Sequence, residues 1–284
     1  VDILGSLTFS FGHAVGEGIQ SICEGKSIEQ TIFSMFVHWD SDLFADNPKQ
    51  KKNFWLAVHA VRMFKSMRDS GYMRDYELVY YEDKPAVELG FIIHFPDGYV
   101  YRGFVDVVMR NIVTGEVIVL ELKTASTYAI APATYKNSAQ AIGYSIVLDA
   151  IFPNLSSYRV HYLVYQTMAM EYCDLPFTKT YTQRAQWIQE LLLDIETIKL
   201  YEQNLYPMHG ESCRDWNRDC EYLNMCTLST ENLTKPLTPV AAELIYEDHS
   251  KYQVSISLLD LIRSQGAKLT GTEGSREESG AEIL

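Results

Sequence analysis

The chain has 284 residues, 47% of them hydrophobic and 12% aromatic, and carries a formal net charge of −13. That is enough length and apolar content for one large domain or a domain with an appendage. No apolar run approaches the roughly 20 residues of a membrane span, and the N-terminal stretch lacks the basic region and cleavage site of a secretory signal, so a cytosolic globular protein is expected.

Small and apolar residues recur at helical spacing from Phe11 to Cys23, and amphipathic helices are predicted over Ser27–Phe36 and Asn53–Ser70. From Tyr76 the period changes to two. Strands are predicted over Glu77–Tyr81, Val87–Phe95, Tyr99–Arg110 and Val117–Thr124, separated by the turn signals Asp83-Lys84-Pro85, Pro96-Asp97-Gly98 and Thr114-Gly115. A helix over Ser138–Phe152, a strand over Tyr158–Met168 and a long helix over Thr182–Asn204 follow. Because the central strands follow one another without intervening helices, the order suits a mixed α/β (α+β) layer fold better than a doubly wound sheet. Beyond Thr230 one further helix is predicted over Ser255–Arg263, and the Gly-, Ser-, Thr- and Glu-rich segment 266–280 is expected to be disordered.

The hairpin from Tyr101 to Thr124 carries the chemistry. With period-two alternation Glu121 and Lys123 project from one face, and Leu120 and Leu122 from the other. If residues 112–115 form the loop, Asn111 pairs with Glu116 and Asp106 lies opposite Glu121. Two carboxylates on one sheet face repel each other and titrate upward unless a cation compensates them. A hard divalent ion does so, and Lys123 helps. Such an ion orients water, lowers its pKa and neutralises charge growing on a phosphate, so the set suits phosphodiester hydrolysis. On the following helix Gln140 and Tyr144 are four residues apart and share a face, a spacing that by itself suits simple helix packing as well as a polar pair.

The series Gly103-Phe-Val-Asp106, Glu121-Leu-Lys123 and Gln140-xxx-Tyr144 resembles the PD-(D/E)XK nucleases. Within them it is similar to the RecB-like group of recombination-helicase exonuclease domains, phage exonucleases and CRISPR adaptation nucleases, from about Phe11 to Cys226. The resemblance implies a restriction-endonuclease-like core, with a mixed central sheet flanked by helices. Its nuclease domain spans 1–228: a helical part (11–75), a catalytic core (76–205) and a cysteine-rich segment (206–228), with 229–284 as a tail. It further implies a Mg²⁺- or Mn²⁺-dependent DNA exonuclease of phage or bacterial recombination, repair or processing. Such an enzyme acts on single strands or duplex ends in the cytoplasm of a bacterial or phage-infected cell, with a helicase or recombination protein as partner. Asp106, Glu121, Lys123, Gln140 and Tyr144 are then the catalytic set, with Glu88 and His13 as additional metal-site candidates.

One departure stands out. Relatives carry a Gly-x-x-x-His-Glu helix whose His binds metal, whereas Gly12-His-Ala-Val-Gly16-Glu17 has Gly at that place, leaving His13 or Glu17 as substitutes. The competing reading is therefore a non-catalytic DNA-binding accessory subunit that keeps the fold. The acidic net charge weighs mildly against nucleic-acid binding, because phosphate neutralisation supplies much of the affinity. Metal-binding carboxylates offset that objection, as does a basic stretch containing Lys49, Lys51, Lys52, Arg62, Lys65 and Arg68. Arg102, Tyr128, Tyr135 and Lys136 are candidate strand contacts. A zinc hydrolase finds no HxxxH or HxH spacing.

Three of the five cysteines, Cys213, Cys220 and Cys226, fall within fourteen residues, a pattern that favours metal or cluster ligation over disulfides in a cytosolic chain. Thiolates suit zinc or an iron–sulfur cluster. By the same resemblance the trio holds a [4Fe–4S] cluster with a fourth cysteine expected upstream of Val1; Cys23 is the nearby substitute, and Cys173 reads as a core or strand-end residue.

Overall fold

Helix α1 (Leu7–Cys23) turns Phe11, Val15 and Ile19 to one side at helical spacing, and they pack with Met35 of α2 (Ile28–His38) and Val61 and Phe64 of α3 (Phe54–Asp69). Local chemistry sets the two starts. Ser27 and Gln30 form a reciprocal capping box at α2, and the Asn53 side chain accepts the Leu56 N–H at α3. Gly18 makes the close approach possible. A Cβ there would collide with Val61 Cγ2 and lie 2.9 Å from Met35 Sδ. Gly18→Ala is therefore expected to destabilise by up to about 2 kcal/mol, overpacking outweighing the roughly 1 kcal/mol of helix propensity that Ala adds. Urea denaturation of the two proteins measures it.

The structure, a computed structural model, describes residues 7–39, 52–96, 98–136, 138–152, 155, 157–203, 214–215, 218–219, 251–261 and 263. They fall into two compact units. Residues 7–187 and 252–263 form one, while residues 188–203, 214–215, 218–219 and 251 belong to the other.

The first unit is built on a seven-stranded mixed sheet. After the short β1 (Tyr76–Leu78), β2 (Tyr80–Tyr81) and β3 (Lys84–Pro85), the antiparallel β4 (Val87–His94), β5 (Val100–Asn111) and β6 (Val117–Ala125) form the expected meander, with β1 paired to β5 and with β2 and β3 forming a separate two-stranded ladder. The chain then passes through α4 (Ala133–Lys136) and α5 (Ala139–Ile151) to β7 (Ser157–Gln166), which pairs parallel with β6. A crossover helix between two parallel strands is what such a connection requires. β8 (Glu171–Thr180) returns antiparallel to β7, and α6 (Tyr181–Gln203) follows. β11 (Val254–Ser257) closes the opposite edge, parallel to β4. Two short strands, β9 (Arg214–Asp215) and β10 (Arg218–Asp219), pair antiparallel within the second unit.

Alternation decides which side chains face which helices. Ile118 and Leu120 of β6, Val107 and Met109 of β5, and Leu163 and Tyr165 of β7 join the core under α1–α3. On the other face Tyr144 of α5 meets Phe91 edge-on, with ring centroids 6.3 Å apart. There Arg184 is tied to α5: Nη1 lies 3.0 Å from Asp149 Oδ2, and Nε donates to Ser145 Oγ at 2.9 Å.

Several elements differ from the sequence expectation. The strand expected over Glu77–Tyr81 is divided into β1 and β2, β3 forms at the expected turn Asp83-Lys84-Pro85, and α4 is not among the predicted helices. β8 and β11 differ most. β8 is a strand that the chain's own pattern did not suggest, because Pro176 interrupts it; as an edge strand it tolerates the missing N–H. The predicted helix over Ser255–Arg263 begins instead as β11, whose buried Val254 and Ile256 alternate with less buried neighbours, and turns helical only at Leu258. Segment 266–280 lies outside the described residues.

Candidate active site

β5 and β6 keep the register that places Val107 across from Leu120 and Arg110 across from Val117. One step further the same register sets Asp106 level with Glu121, but the main-chain pairing has ended there. Asp106 takes over its role: Oδ2 accepts the Leu122 N–H at 2.8 Å. This carboxylate is consequently held in place at the point where β6 leaves β5 to run beside β7.

Glu121 is fully buried, and its two oxygens are treated differently. Lys123 Nζ donates to Oε1 at 2.5 Å, whereas Oε2 is buried without a close hydrogen-bond partner, the Tyr144 hydroxyl being the neighbouring donor that interacts with this carboxylate. A buried carboxylate oxygen left unmatched is costly unless a cation completes it. Burial, with the charge of Glu121 next in weight, pushes the Asp106 carboxyl up to about 8, against the pull of the Leu122 N–H and Lys123. For Lys123 burial works against the ammonium, yet the charges of Glu121 and Asp106 outweigh it and hold the group above its ordinary value.

A short chain of contacts braces the lysine from α5. Lys123 Nζ reaches Gln140 Oε1 at 3.4 Å, and Gln140 Nε2 donates to the Tyr144 hydroxyl at 2.6 Å. Tyr144 is 2% exposed; its burial, then the Glu121 and Asp106 charges, raise its phenol well above the ordinary value, so it remains a neutral hydroxyl. Tyr162, level with Glu121 on β7, is buried beside this group and packs on Tyr135 at a centroid distance of 4.9 Å. Its contribution was not legible beforehand, because a tyrosine in a β-rich run reads as core.

From the opposite side α1 supplies a wall. A cavity of about 580 Å³ is lined by His13, Gly16, Glu17 and Gln20 of α1, by Glu88 and Asp106, and by Leu122 to Thr124. The four α1 residues share one helix face. Gly16 leaves that face open: a Cβ there would meet nothing within 4 Å. His13 is exposed at the cavity edge, and Glu17 Oε1 is engaged by the Ser34 hydroxyl at 2.6 Å. Glu88 stands across from Asp106 between the pairs Val87–Val107 and Leu89–Val105. Among the described residues, no three His, Cys, Asp or Glu side chains converge into a ready ligand set.

The structure thus brings together Asp106, Glu121, Lys123, Gln140 and Tyr144, sets Glu88 and His13 with Asp106 and Lys123 around one cavity, and does not gather His13 and the two central carboxylates into one ligand set. Tyr128 is 69% exposed and Lys136 is exposed, beyond the bracing contacts. Cys213, Cys220 and Cys226 lie outside the described residues. Cys23 is unpaired and packs against the helical core, where burial pushes its thiol up to about 12, an environment poorly suited to a thiolate ligand. Cys173 sits on β8 across from Val164.

Residues 11–227 match the PD-(D/E)XK nuclease superfamily. The chain belongs to this superfamily. Its mixed sheet flanked by helices is the restriction-endonuclease-like fold of these nucleases. Among solved structures it is similar to a candidate exonuclease from Eubacterium rectale, at 14% identity over 84% of this chain and 80% of that one, with a TM-score of 0.43. It is also similar to the protein SSO0001, at 14% identity over 71% of this chain and 79% of that one, with a TM-score of 0.29. No curated protein sequence matches it. Among the described residues no helix is long and apolar enough to cross a membrane.

Proposed function

We propose that this PD-(D/E)XK nuclease is a Mg²⁺- or Mn²⁺-dependent deoxyribonuclease that degrades DNA from its ends. The observation that carries the reading is Glu121, buried with Oε1 on Lys123 and Oε2 without a close partner, level with Asp106, which together with Lys123 lines an open cavity. These residues fit a divalent ion. Mg²⁺ and Mn²⁺ sites need only one or two protein carboxylates, the remaining positions going to water and substrate phosphate, so the lack of a third converging ligand is no obstacle. Asp106 and Glu121 would hold the ion, which when bound would supply Lewis acidity and a more acidic water.

The protein's own groups do the rest. Lys123 offers a fixed positive charge to a phosphate or to the attacking oxygen, and Gln140 limits where its ammonium swings. Tyr144, a neutral hydroxyl against Gln140, keeps that amide oriented. Exposed Tyr128 and Lys136, with the neighbouring Tyr135, suit a strand bound without regard to sequence. Action on DNA ends, a place in recombination or repair and a helicase partner draw on the motif resemblance. A [4Fe–4S] cluster at Cys213, Cys220 and Cys226, with zinc as the alternative, draws on the same resemblance.

A second reading, a DNA-binding protein that keeps the fold without cutting, is favoured by Gly16 in place of a histidine. Digestion of end-labelled linear and closed circular DNA, single- and double-stranded, separates the two. Mg²⁺- or Mn²⁺-dependent loss of linear DNA with circles intact, abolished in Glu121→Ala, is the expected result. Cutting of circles would make the enzyme an endonuclease. Binding without cleavage by the folded protein would establish the second reading.

A further inference from the structure

Gln20 takes no part in the chemistry described so far, yet its setting is unusual. It lies on the cavity face of α1 one turn beyond Gly16, is 6% exposed, and donates from Nε2 to Glu88 Oε1 at 2.7 Å across 68 residues of sequence. A leucine would fill a similar volume without the desolvation cost that a buried amide carries. The partner is unusual as well. Glu88 has φ of 47°, in the left-handed region that a residue with a Cβ seldom occupies. Its neighbours Val87 and Leu89 remain paired to β5, so the strain is confined to the one position facing Asp106. Strain of this kind persists only where the surroundings hold it.

We propose that Gln20 is a positioning residue whose amide holds the Glu88 carboxylate beside Asp106, adding a third negative group to the metal site from outside the direct ligands. The inference rests on reading the cavity as the nuclease centre. A neutral donor is the appropriate tether, since it orients Glu88 without cancelling its charge as a lysine would. No three acidic or histidine side chains converge among the described residues, so Glu88 acts through its field and through water retained by the ion, which Mg²⁺ and Mn²⁺ both keep. Groups that orient a metal site's carboxylates in this way typically contribute about 10- to 100-fold in metal affinity.

Calorimetric titration of the full chain with Mn²⁺ tests this apart from turnover. Gln20→Leu is expected to weaken Mn²⁺ binding about 10- to 100-fold with its metal-free thermal midpoint not lowered. Glu88→Gln should show the same loss, and the double variant should be no weaker than either single one, because Gln20 acts only through Glu88. If Gln20→Leu does not fold, Gln20→Asn, whose amide is one methylene too short to reach, takes its place in the same comparison. Wild-type Mn²⁺ affinity in the Gln20 variant, or losses that add in the double variant, would overturn the inference alone. A wild-type chain that neither binds Mn²⁺ nor cuts DNA would overturn the nuclease reading and this inference with it.

Discussion

Lys123→Met is expected to lower DNA cleavage by about 10²- to 10³-fold at saturating Mn²⁺, the usual consequence of removing one preorganised charge from a site where charge develops. Methionine keeps the length and the apolar stem but not the ammonium that contacts Glu121 Oε1 and Gln140 Oε1. Its effect should therefore fall on the chemical step and leave Mn²⁺ binding in place. Glu121→Ala, by contrast, removes both the contact to Lys123 and the unmatched Oε2, so metal affinity and cleavage should fall together. Single-turnover rates measured beside Mn²⁺ titrations separate the two. If Lys123→Met retained more than about a tenth of the wild-type rate, the lysine would be serving the fold of the hairpin and not the reaction. Gln140→Ala, which loosens the brace without removing the charge, belongs between wild type and Lys123→Met.

The parts of this arrangement that were legible in the sequence are those governed by local periodicity. Alternation along β5 and β6, with a short loop between them, was enough to bring Asp106 level with Glu121 and to put Lys123 beside Glu121. The four-residue spacing of Gln140 and Tyr144 was enough to join them on α5. What stayed hidden depends on contacts between distant segments. Gln20 looks like any polar residue of a helix until Glu88, 68 positions away, comes to face it. Arg184 and Asp149, both 2% exposed, form a buried pair between α6 and α5, and each alone would be read as a surface charge. β8 was obscured by Pro176, a residue that weakens a strand pattern but is tolerated at an edge. β11 was obscured because four residues are too few for period two to outweigh the helical spacing that follows.

The same carboxylates that define the site make the metal-free protein sensitive to pH, and the sign follows from Asp106. Its carboxyl titrates near 3.8 when unperturbed and is pushed up to about 8 in the folded chain, first by burial and then by Glu121. Below about 4 both folded and unfolded chains hold the proton. Between about 4 and 8 the folded chain keeps it while the unfolded chain has released it, so each rise in pH favours unfolding, by at most about 1.4 kcal/mol per pH unit for one proton. Above about 8 the loss levels off. In EDTA, stability is therefore expected to decline from pH 5 to pH 8, and the decline should be shallower in Asp106→Asn, whose amide oxygen can still accept the Leu122 N–H. Saturating Mn²⁺ should cancel the slope, because an ion favours the ionised Asp106 that burial disfavours, and the stabilisation it confers should grow with pH across the same window. Urea denaturation of both proteins at pH 5, 6, 7 and 8, with EDTA and with Mn²⁺, measures the four profiles. Equal slopes for wild type and Asp106→Asn in EDTA would mean that Asp106 ionises freely in the folded chain, and the buried carboxylate pair would then lose its claim to be the place where the cation binds.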